Sequence, residues 1–189
     1  MNGITGLVLA GGMGRRMDSQ DKGLVAFRGK PMVAHVIERL APQVQSLIIN
    51  ANRNLDQYGA LGYAVISDEV SGFAGPLAGL HAGLARCRTP FIVTAPCDSP
   101  FLPLNLVAHL YEALEHNIAE LAVAKTGNQA QPVFALYSAT LLPSLTQFLE
   151  SGGRKIDTWY STHRVVEVPF ADESAFANIN TIADLQALQ

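Results

Sequence analysis

Residues 4–16 read ITGLVLAGGMGRR, and this stretch decides how the 189-residue chain is interpreted. Its first seven residues form an apolar run typical of a strand, and that run enters a turn with three glycines. Glycine lets backbone N–H groups approach a phosphate because no Cβ stands in the way. Arg15, Arg16 and Lys22 bring positive charge to the same oxygens. The stretch therefore indicates a polyphosphate-binding loop after the first strand.

Two common phosphate-binding motifs do not fit this loop. No Gly-Lys-Ser/Thr follows it, so it is not a Walker A motif. Arg16 stands where the third glycine of a dinucleotide-binding fingerprint would fall. A tight strand-to-helix turn would explain the glycines alone. It would not need three cations so close together, and the cations favour a nucleotide.

Composition sets the class of protein. Apolar residues make up 49% of the chain and charged residues 15%, which favours a large packed core over disorder. The length predicts a single domain over residues 1–189. A formal net charge of −3 argues against a general nucleic-acid binder, but a nucleotide site needs only a few local cations.

Cysteine usage and hydropathy point to a soluble cytoplasmic protein. Cys87 and Cys97 form no CxxC pair, which argues against a disulfide framework or a zinc knuckle. The sequence shows no signal peptide, and no run approaches the roughly 20 apolar residues of a membrane span. The five histidines show no metal-ligand spacing.

Short apolar runs alternate with longer amphipathic ones along the chain. Strands are predicted at 4–10, 46–51, 64–67, 91–95, 121–125, 132–137 and 165–169. Helices are predicted at 32–43, 55–58, 77–85, 104–117, 141–150, 155–161 and 182–188. This alternation predicts an α/β fold with a doubly wound, mostly parallel sheet and helices on both faces.

Ligands of such sheets bind outside the carboxyl ends of the strands. Glycine or polar residues lie at or shortly after the carboxyl ends of four predicted strands. They are Gly11-Gly12, Asn50, Asp68 and Asp98. Because the carboxyl ends of parallel strands meet at one edge, we expect these residues to lie close together. The sequence therefore predicts the binding site at this edge.

Asp98 follows a buried strand directly, and a carboxylate in that position suits Mg²⁺. The alternative is that Asp98 caps the helix predicted at 104–117. Asp68 heads a loop, where a carboxylate is often only solvated. Cys97 has no histidine near it in the sequence, so we interpret it as a packed residue and not a nucleophile.

Two later motifs are also open to two interpretations. Residues 152–155, with the sequence GGRK, form a second basic turn, which is either a binding element or an exposed helix start. Asn178 and Asn180 place two amides on one side of an extended segment, where they either bind a ligand or cap the next helix. Thr181 and Asp184 have the spacing of a capping box for that helix.

Together, these motifs resemble a known family. The matching segments are LAGG-x-GRRM at 9–17, DKG at 21–23, NANR at 50–53, GPLAG at 75–79, PCD-x-P at 96–100, G-x-RK at 152–155 and N-x-NT at 178–181. They occur in the same order in molybdenum cofactor guanylyltransferases, and the resemblance runs from residue 4 to 185. It implies a doubly wound, Rossmann-like nucleotidyltransferase. It also implies that GTP and Mg²⁺ are used to attach GMP to the terminal phosphate of molybdopterin, with release of pyrophosphate.

The resemblance also implies roles for individual residues. It assigns GTP binding to Leu9, Ala10, Gly11, Gly12, Lys22, Asn50, Asp68 and Asp98, with Mg²⁺ on Asp98. It assigns the acceptor to Arg154, Lys155, Asn178 and Asn180. The attacking phosphate is already an anion, so catalysis needs alignment and charge neutralisation, which we assign to Arg15, Lys22 and Asp98. The Gly-Gly pair at residues 11 and 12 resembles the sequence found at this place in the guanine-using branch of the family.

Two positions depart from the family pattern. Asp18 stands where glycine is common, and Ser99 where threonine is common. The expected partners are GTP and molybdopterin as substrates, with transient contact to molybdopterin-handling proteins and molybdoenzymes. We expect a monomer that binds neither nucleic acid nor membrane. The alternatives are a nucleotidyltransferase for another nucleotide or acceptor (cytidylyl or sugar-phosphate type), a non-catalytic nucleotide-binding assembly factor, and a disfavoured hydride-transferring enzyme.

Overall fold

A computed structural model describes residues 3–12, 21–70, 75–181 and 184–186 of the chain. In chain order its strands are β1 (Ile4–Leu9), β2 (Ala26–Phe27), β3 (Lys30–Pro31), β4 (Ser46–Asn50), β5 (Ala64–Ile66), β6 (Phe91–Pro96), β7 (Leu121–Thr126), β8 (Gln129–Ser138) and β9 (Val165–Phe170). Its helices are α1 (Met32–Leu40), α2 (Leu55–Gly59), α3 (Pro76–Arg86), α4 (Leu106–His116), α5 (Leu142–Glu150) and α6 (Ile156–Tyr160).

Seven strands form one sheet in the order β5-β4-β1-β6-β8-β7-β9. The pairs β1–β4, β1–β6, β4–β5 and β7–β9 are parallel, whereas β8 is antiparallel to both β6 and β7. The predicted mostly parallel α/β sheet is confirmed. Because β7 runs in the same direction as β6, the carboxyl ends of every strand except β8 lie at one edge of this sheet.

The helices cover both faces of the sheet, as predicted. Apolar residues of α1 and α4 pack in a core cluster on one face, and those of α3, α5 and α6 pack in a second cluster on the other. The predicted apolar stripe of α1 is buried, at Val33, Val36, Ile37 and Leu40. On the other face, Gly79 and Gly83 let α3 approach the sheet closely, since a Cβ at either position would overlap side chains of β1.

Two predicted helix boundaries differ from the structure by two residues or more. The helix predicted at 32–43 ends at Leu40, and a 3₁₀ turn continues it to Gln43. The helix predicted from residue 104 begins at Leu106, after an N-cap at Asn105. Leu104 and Asn105 form a turn before this helix, and Leu104 is 67% exposed. Asp98 therefore does not cap α4.

A small hairpin, β2–β3, was not predicted from the sequence. Its two-residue turn places Arg28 at φ 46° and Gly29 at φ 85°. Left-handed conformations at both positions give the tight turn that suits the twist of a hairpin. Phe27 is buried in a small cluster with Met32 and Ile179. The hairpin thus carries the chain from the turn at residues 22–24 into α1.

The last predicted helix, 182–188, falls within the described part of the chain only at 184–186, which are helical. The Asp184 N–H donates to the Thr181 hydroxyl over 3.1 Å, and the Thr181 N–H donates to the Asp184 carboxylate over 2.9 Å. This reciprocal pair confirms the predicted capping box. Within the described ranges, every helix is too short or too polar to cross a bilayer.

Candidate active site

The strands β1, β4, β5 and β6 end side by side. Leu9 pairs with Asn50 on one side and with Pro96 on the other, and Asn50 pairs with Ile66 of β5. Residues that follow these strands therefore meet at one edge, as the alternation of strands and helices predicted. Two clusters of polar side chains form there, one on each side of β1.

The first cluster joins Lys22, Asp98 and Asn180. The Lys22 Nζ donates to Asn180 Oδ1 over 2.6 Å and lies 3.4 Å from Asp98 Oδ2. The Lys22 and Asp98 side chains are only 21% and 14% exposed. Burial raises the pKa of Asp98 above the usual range of an aspartate, although the Lys22 ammonium opposes that shift. The cluster thus brings a poorly solvated carboxylate next to a cation.

The segment that carries Asn178 and Asn180 runs alongside Asp98. The Ile179 N–H donates to the Asp98 carbonyl over 2.9 Å. The hydroxyl of Ser99, which is fully buried, donates to Asn178 Oδ1. The segment with the two asparagines is therefore held next to residues 98 and 99, and Asn180 shares the Lys22 ammonium with Asp98. Ser99 keeps the hydroxyl of the threonine common in the family, and here it holds Asn178.

The second cluster surrounds the carboxylate of Asp68. Asn50 Nδ2 donates to Asp68 Oδ1 over 2.9 Å, and Asn52 Nδ2 donates to Asp68 Oδ2 over 2.8 Å. The Asp68 N–H donates in turn to Asn52 Oδ1 over 2.9 Å. Asp68 is thus held in one orientation by both of its oxygens, and the interpretation that it is merely solvated is wrong.

The backbone at the end of β1 lies between the two clusters. The Ala10 N–H donates to the Asn50 carbonyl and the Leu9 carbonyl accepts from the Cys97 N–H, so both neighbouring strands hold this segment. A Cβ at Gly11 would lie 2.9 Å from Asn52 Nδ2, whereas no described residue beyond the chain neighbours lies within 4 Å of the same position at Gly12. Gly12 is exposed, and its carbonyl accepts from Arg53 Nη2 over 3.2 Å. Arg15 and the rest of residues 13–20 lie outside the described part of the chain.

Arg154 and Lys155 lie in the turn between α5 and α6. The Arg154 Nη1 donates to the carbonyls of Leu149, over 3.0 Å, and Gly153, over 2.6 Å. It thereby satisfies a carbonyl at the carboxyl end of α5. None of the described hydrogen bonds joins Arg154 or Lys155 to either polar cluster. The structure gathers Asn178 and Asn180 around Asp98 but leaves these two cations on a separate turn.

Cys97 precedes Asp98, packs in the apolar core and is 8% exposed. Burial, with the adjacent charge of Asp98, raises the pKa of the Cys97 thiol far above neutrality. The thiol stays protonated, which agrees with the sequence-based view that Cys97 packs and does not attack a substrate. The described ranges also hold no group of three or more His, Cys, Asp or Glu side chains placed to bind a metal.

Three residues near the site received no role in the analysis of the sequence, and they are Asn52, Asn54 and Tyr58. Asn52 clamps Asp68, and its only signal was its place in the NANR motif. The Tyr58 hydroxyl donates to Asp21 Oδ1 over 2.5 Å, and Asn54 Nδ2 donates to Asp21 Oδ2 over 3.1 Å. Tyr58 ended a predicted helix and gave no sign of a polar role.

The fold and the edge define an α/β protein in which glycine backbone, a lysine and two carboxylates lie around the end of the first strand. The profile of the MobA-like NTP transferase domain matches residues 6–165. The chain therefore belongs to the MobA-like NTP transferase family.

Named relatives agree over nearly the whole chain. A molybdenum cofactor guanylyltransferase of Cupriavidus taiwanensis is 54% identical over 97% of this chain and 95% of its own length. One from Bordetella petrii is 53% identical over 98% and 96%. The crystal structure of molybdopterin-guanine dinucleotide biosynthesis protein A from Archaeoglobus fulgidus superposes with a TM-score of 0.80. It is 29% identical and covers 97% of this chain and 96% of its own.

Proposed function

We propose that this chain transfers GMP from GTP to the terminal phosphate of molybdopterin, giving the guanine dinucleotide form and pyrophosphate. The observation that carries the proposal is the contact of Lys22 with Asp98 and Asn180 after β6, at the same carboxyl edge as the clamped Asp68 after β5. This arrangement offers a cation and a carboxylate to a triphosphate, and a fixed acceptor to a nucleoside. The names of the relatives at 53–54% identity support the choice of substrates.

We assign the nucleoside to the side of β1 that faces β4. We assign backbone contacts with the nucleoside to Leu9, Ala10, Gly11 and Gly12, of which Gly12 is exposed. Asn50 is almost fully buried, and it holds the Asp68 carboxylate ready to accept from N–H or O–H groups of the nucleoside. The phosphates then extend across the end of β1 towards Lys22, which supplies positive charge.

The residues around Asp98 suit Mg²⁺, which typically uses one or two carboxylates together with phosphate oxygens and water. The Asp98 carboxylate is little exposed and already lies 3.4 Å from a cation, so the position tolerates and favours positive charge. Mg²⁺ held there would neutralise and orient the phosphates. A second protein carboxylate is not needed, since the triphosphate brings its own oxygens.

The transfer requires no side-chain base. The attacking oxygen belongs to the acceptor phosphate, which is already an anion, and the thiol of Cys97 is held protonated. Lys22 would offset part of the repulsion between the two polyanions, and Asp98 would contribute by holding Mg²⁺, which supplies further positive charge and alignment. We assign the same charge-offsetting task as that of Lys22 to Arg15, which lies outside the described residues.

We assign the acceptor to the other side of the edge. Asn178 and Asn180 line it beside Asp98, and we include Arg154 and Lys155 as further phosphate-binding cations. Arg154 uses Nη1 to hold α5, and a guanidinium has five N–H donors, so others remain for a ligand. We propose that the chain acts as a monomer in the cytoplasm and contacts molybdopterin-handling proteins and molybdoenzymes transiently.

Pyrophosphate release separates this function from its alternatives. The assay uses GTP, CTP and ATP, each with and without molybdopterin, in the presence of Mg²⁺. We expect turnover only with GTP and molybdopterin together. Turnover with CTP would indicate a cytidylyl enzyme, and turnover with a sugar phosphate in place of molybdopterin would indicate another acceptor. GTP binding without pyrophosphate release from any pair would indicate a non-catalytic assembly factor.

A further inference from the structure

The turn that carries Lys22 is tied to a buried tyrosine on a different element. We propose that Tyr58 and Asp21 form an anchor that positions Lys22 for phosphate binding. Neither residue needs to touch substrate, so both are positioning residues. The inference rests on the proposed role of Lys22 in binding GTP and adds two residues through which that role is exerted.

The backbone of Asp21 is part of the turn, and its side chain is part of the anchor. It precedes the 3₁₀ turn at Lys22–Leu24, and its carbonyl accepts from the Leu24 N–H over 2.9 Å. Its carboxylate accepts from the Tyr58 hydroxyl over 2.5 Å and from Asn54 Nδ2 over 3.1 Å. Fixing the carboxylate therefore fixes the backbone from which the Lys22 side chain leaves.

Tyr58 is a rigid partner for this carboxylate. It lies on α2 and is fully buried, so its ring has no freedom to follow a moving turn. Burial raises the pKa of the Tyr58 hydroxyl far above neutrality, so the group remains a donor. A hydroxyl that donates to a carboxylate makes a short, charge-assisted bond, and this kind of bond is stronger than one between neutral groups.

Gly23 shows how tightly the turn is seated. A Cβ at this position would lie 2.6 Å from the Tyr58 hydroxyl oxygen and 3.2 Å from both side-chain atoms of Cys97. The turn is thus pressed between the anchor and the residue next to Asp98. Lys22 is the residue before Gly23, and from this turn its ammonium reaches Asp98 and Asn180.

A lysine gains from such an anchor because its own side chain is flexible. Its four-carbon stem loses rotamer freedom when the ammonium is held in one place. A backbone fixed beforehand confines the ammonium to the region of the phosphates. Loss of the anchor should therefore weaken GTP binding even though Lys22 itself is unchanged.

The first test compares two tyrosines that each lose one hydroxyl. Tyr58→Phe removes the anchor, and Tyr137→Phe is the matched control, since Tyr137 is also fully buried and its hydroxyl donates to the Pro132 carbonyl over 3.1 Å. We expect Tyr58→Phe to raise the KM for GTP about 10-fold, because a misplaced binding group is costly even far from the chemistry. Tyr137→Phe should leave the KM unchanged while lowering the Tm comparably. Equal KM values for the two variants would overturn the anchor.

The second test asks whether Tyr58 acts through Lys22. In a double-mutant cycle, residues that act through one another are not additive. We expect Tyr58→Phe to have less than a twofold effect on the KM for GTP once Lys22→Ala is present. Full additivity of the two substitutions would overturn the proposal, because Tyr58 would then act by another route.

A third variant keeps the proposal testable if Tyr58→Phe does not fold. Asn54→Gly removes the second donor to Asp21, and glycine suits the left-handed backbone at this position, where φ is 51°. We expect a severalfold rise in the KM for GTP.

The Lys22→Ala variant separates failure of the anchor from failure of the proposed function. If Lys22→Ala alone leaves the KM for GTP unchanged, the proposed phosphate-binding role of Lys22 fails and the anchor fails with it. If Lys22→Ala raises the KM while Tyr58→Phe and Asn54→Gly do not, only the anchor is wrong.

Discussion

Asp68 and Asp98 are two aspartates at the same edge of one sheet, and their neighbours differ. Asp68 accepts from two neutral amides, those of Asn50 and Asn52. Asp98 instead faces the Lys22 ammonium over 3.4 Å and is buried enough that its pKa is raised. Neutral donors fix a carboxylate without cancelling its charge, whereas an ammonium cancels charge and can give way to another cation. The neighbours thus suit Asp68 to a nucleoside and Asp98 to a metal ion with phosphates.

Removing the carboxylate of Asp98 should have the largest effect on activity, because we assign the metal ion and the phosphates to this side chain. We expect Asp98→Ala to lower kcat/KM about 10³-fold, because groups that stabilise developing charge in a dry site typically contribute 10²–10³. Glu112→Ala, which changes an exposed carboxylate on α4, serves as the control for handling and charge. Steady-state pyrophosphate release measures the effect, and circular dichroism checks the fold. Undiminished activity would remove Asp98 from the site.

Asp68→Asn keeps the size of the Asp68 side chain and changes its hydrogen-bonding character. Asp68→Asn turns one acceptor into a donor that faces an amide donor, which costs about 1–3 kcal/mol for an unsatisfied pair. We expect the KM for GTP to rise about 10- to 100-fold while kcat changes little. Isothermal titration with GTP gives an independent affinity. A loss confined to kcat would instead place Asp68 with the reacting phosphates.

The smallest expected effect is a pH dependence of stability in the metal-free protein. Because the folded-state pKa of Asp98 is raised, its contribution to stability is complete below the unfolded-state pKa of about 3.9 and is lost as pH rises through the folded-state pKa. The free energy of unfolding of the wild type, relative to Asp98→Asn, should therefore fall as pH increases above about 4. Urea denaturation in the presence of a chelator measures this difference. A difference that grows with pH would show that pairing with Lys22 outweighs burial.

The gathering of Asp68, Asp98 and the glycines could be predicted from chain order alone. Each follows a strand of a mostly parallel sheet, and parallel strands end at one edge. The partners that give the two aspartates different surroundings could not be predicted in this way. Tyr58 lies 37 positions from Asp21, and nothing in the local sequence indicates that they touch. Such contacts depend on how separate elements pack in three dimensions.

Other features had local signals that the sequence reasoning did not use. The link between β7 and β8 is only Gly127-Asn128, and parallel strands need a much longer crossover, so β8 had to be antiparallel. Arg154 follows the end of a helix, where a cation often binds the last carbonyls, and the structure shows this contact. The hairpin β2–β3 has strands of two residues each, which are too short to show a hydrophobic period.

The reversed direction of β8 has a consequence for how proteins of this family could diverge. The turn of its hairpin with β7 lies at the edge that carries Asp98. The two residues of this turn, Gly127 and Asn128, are exposed. Exposed tips of this kind tolerate insertions well. Residues added there would lie at the edge to which we assign the substrates and would leave the pairing of β1 with β4 and β6 unchanged. This tip is therefore a place where evolution or engineering could add recognition of a different acceptor without rebuilding the nucleotide site.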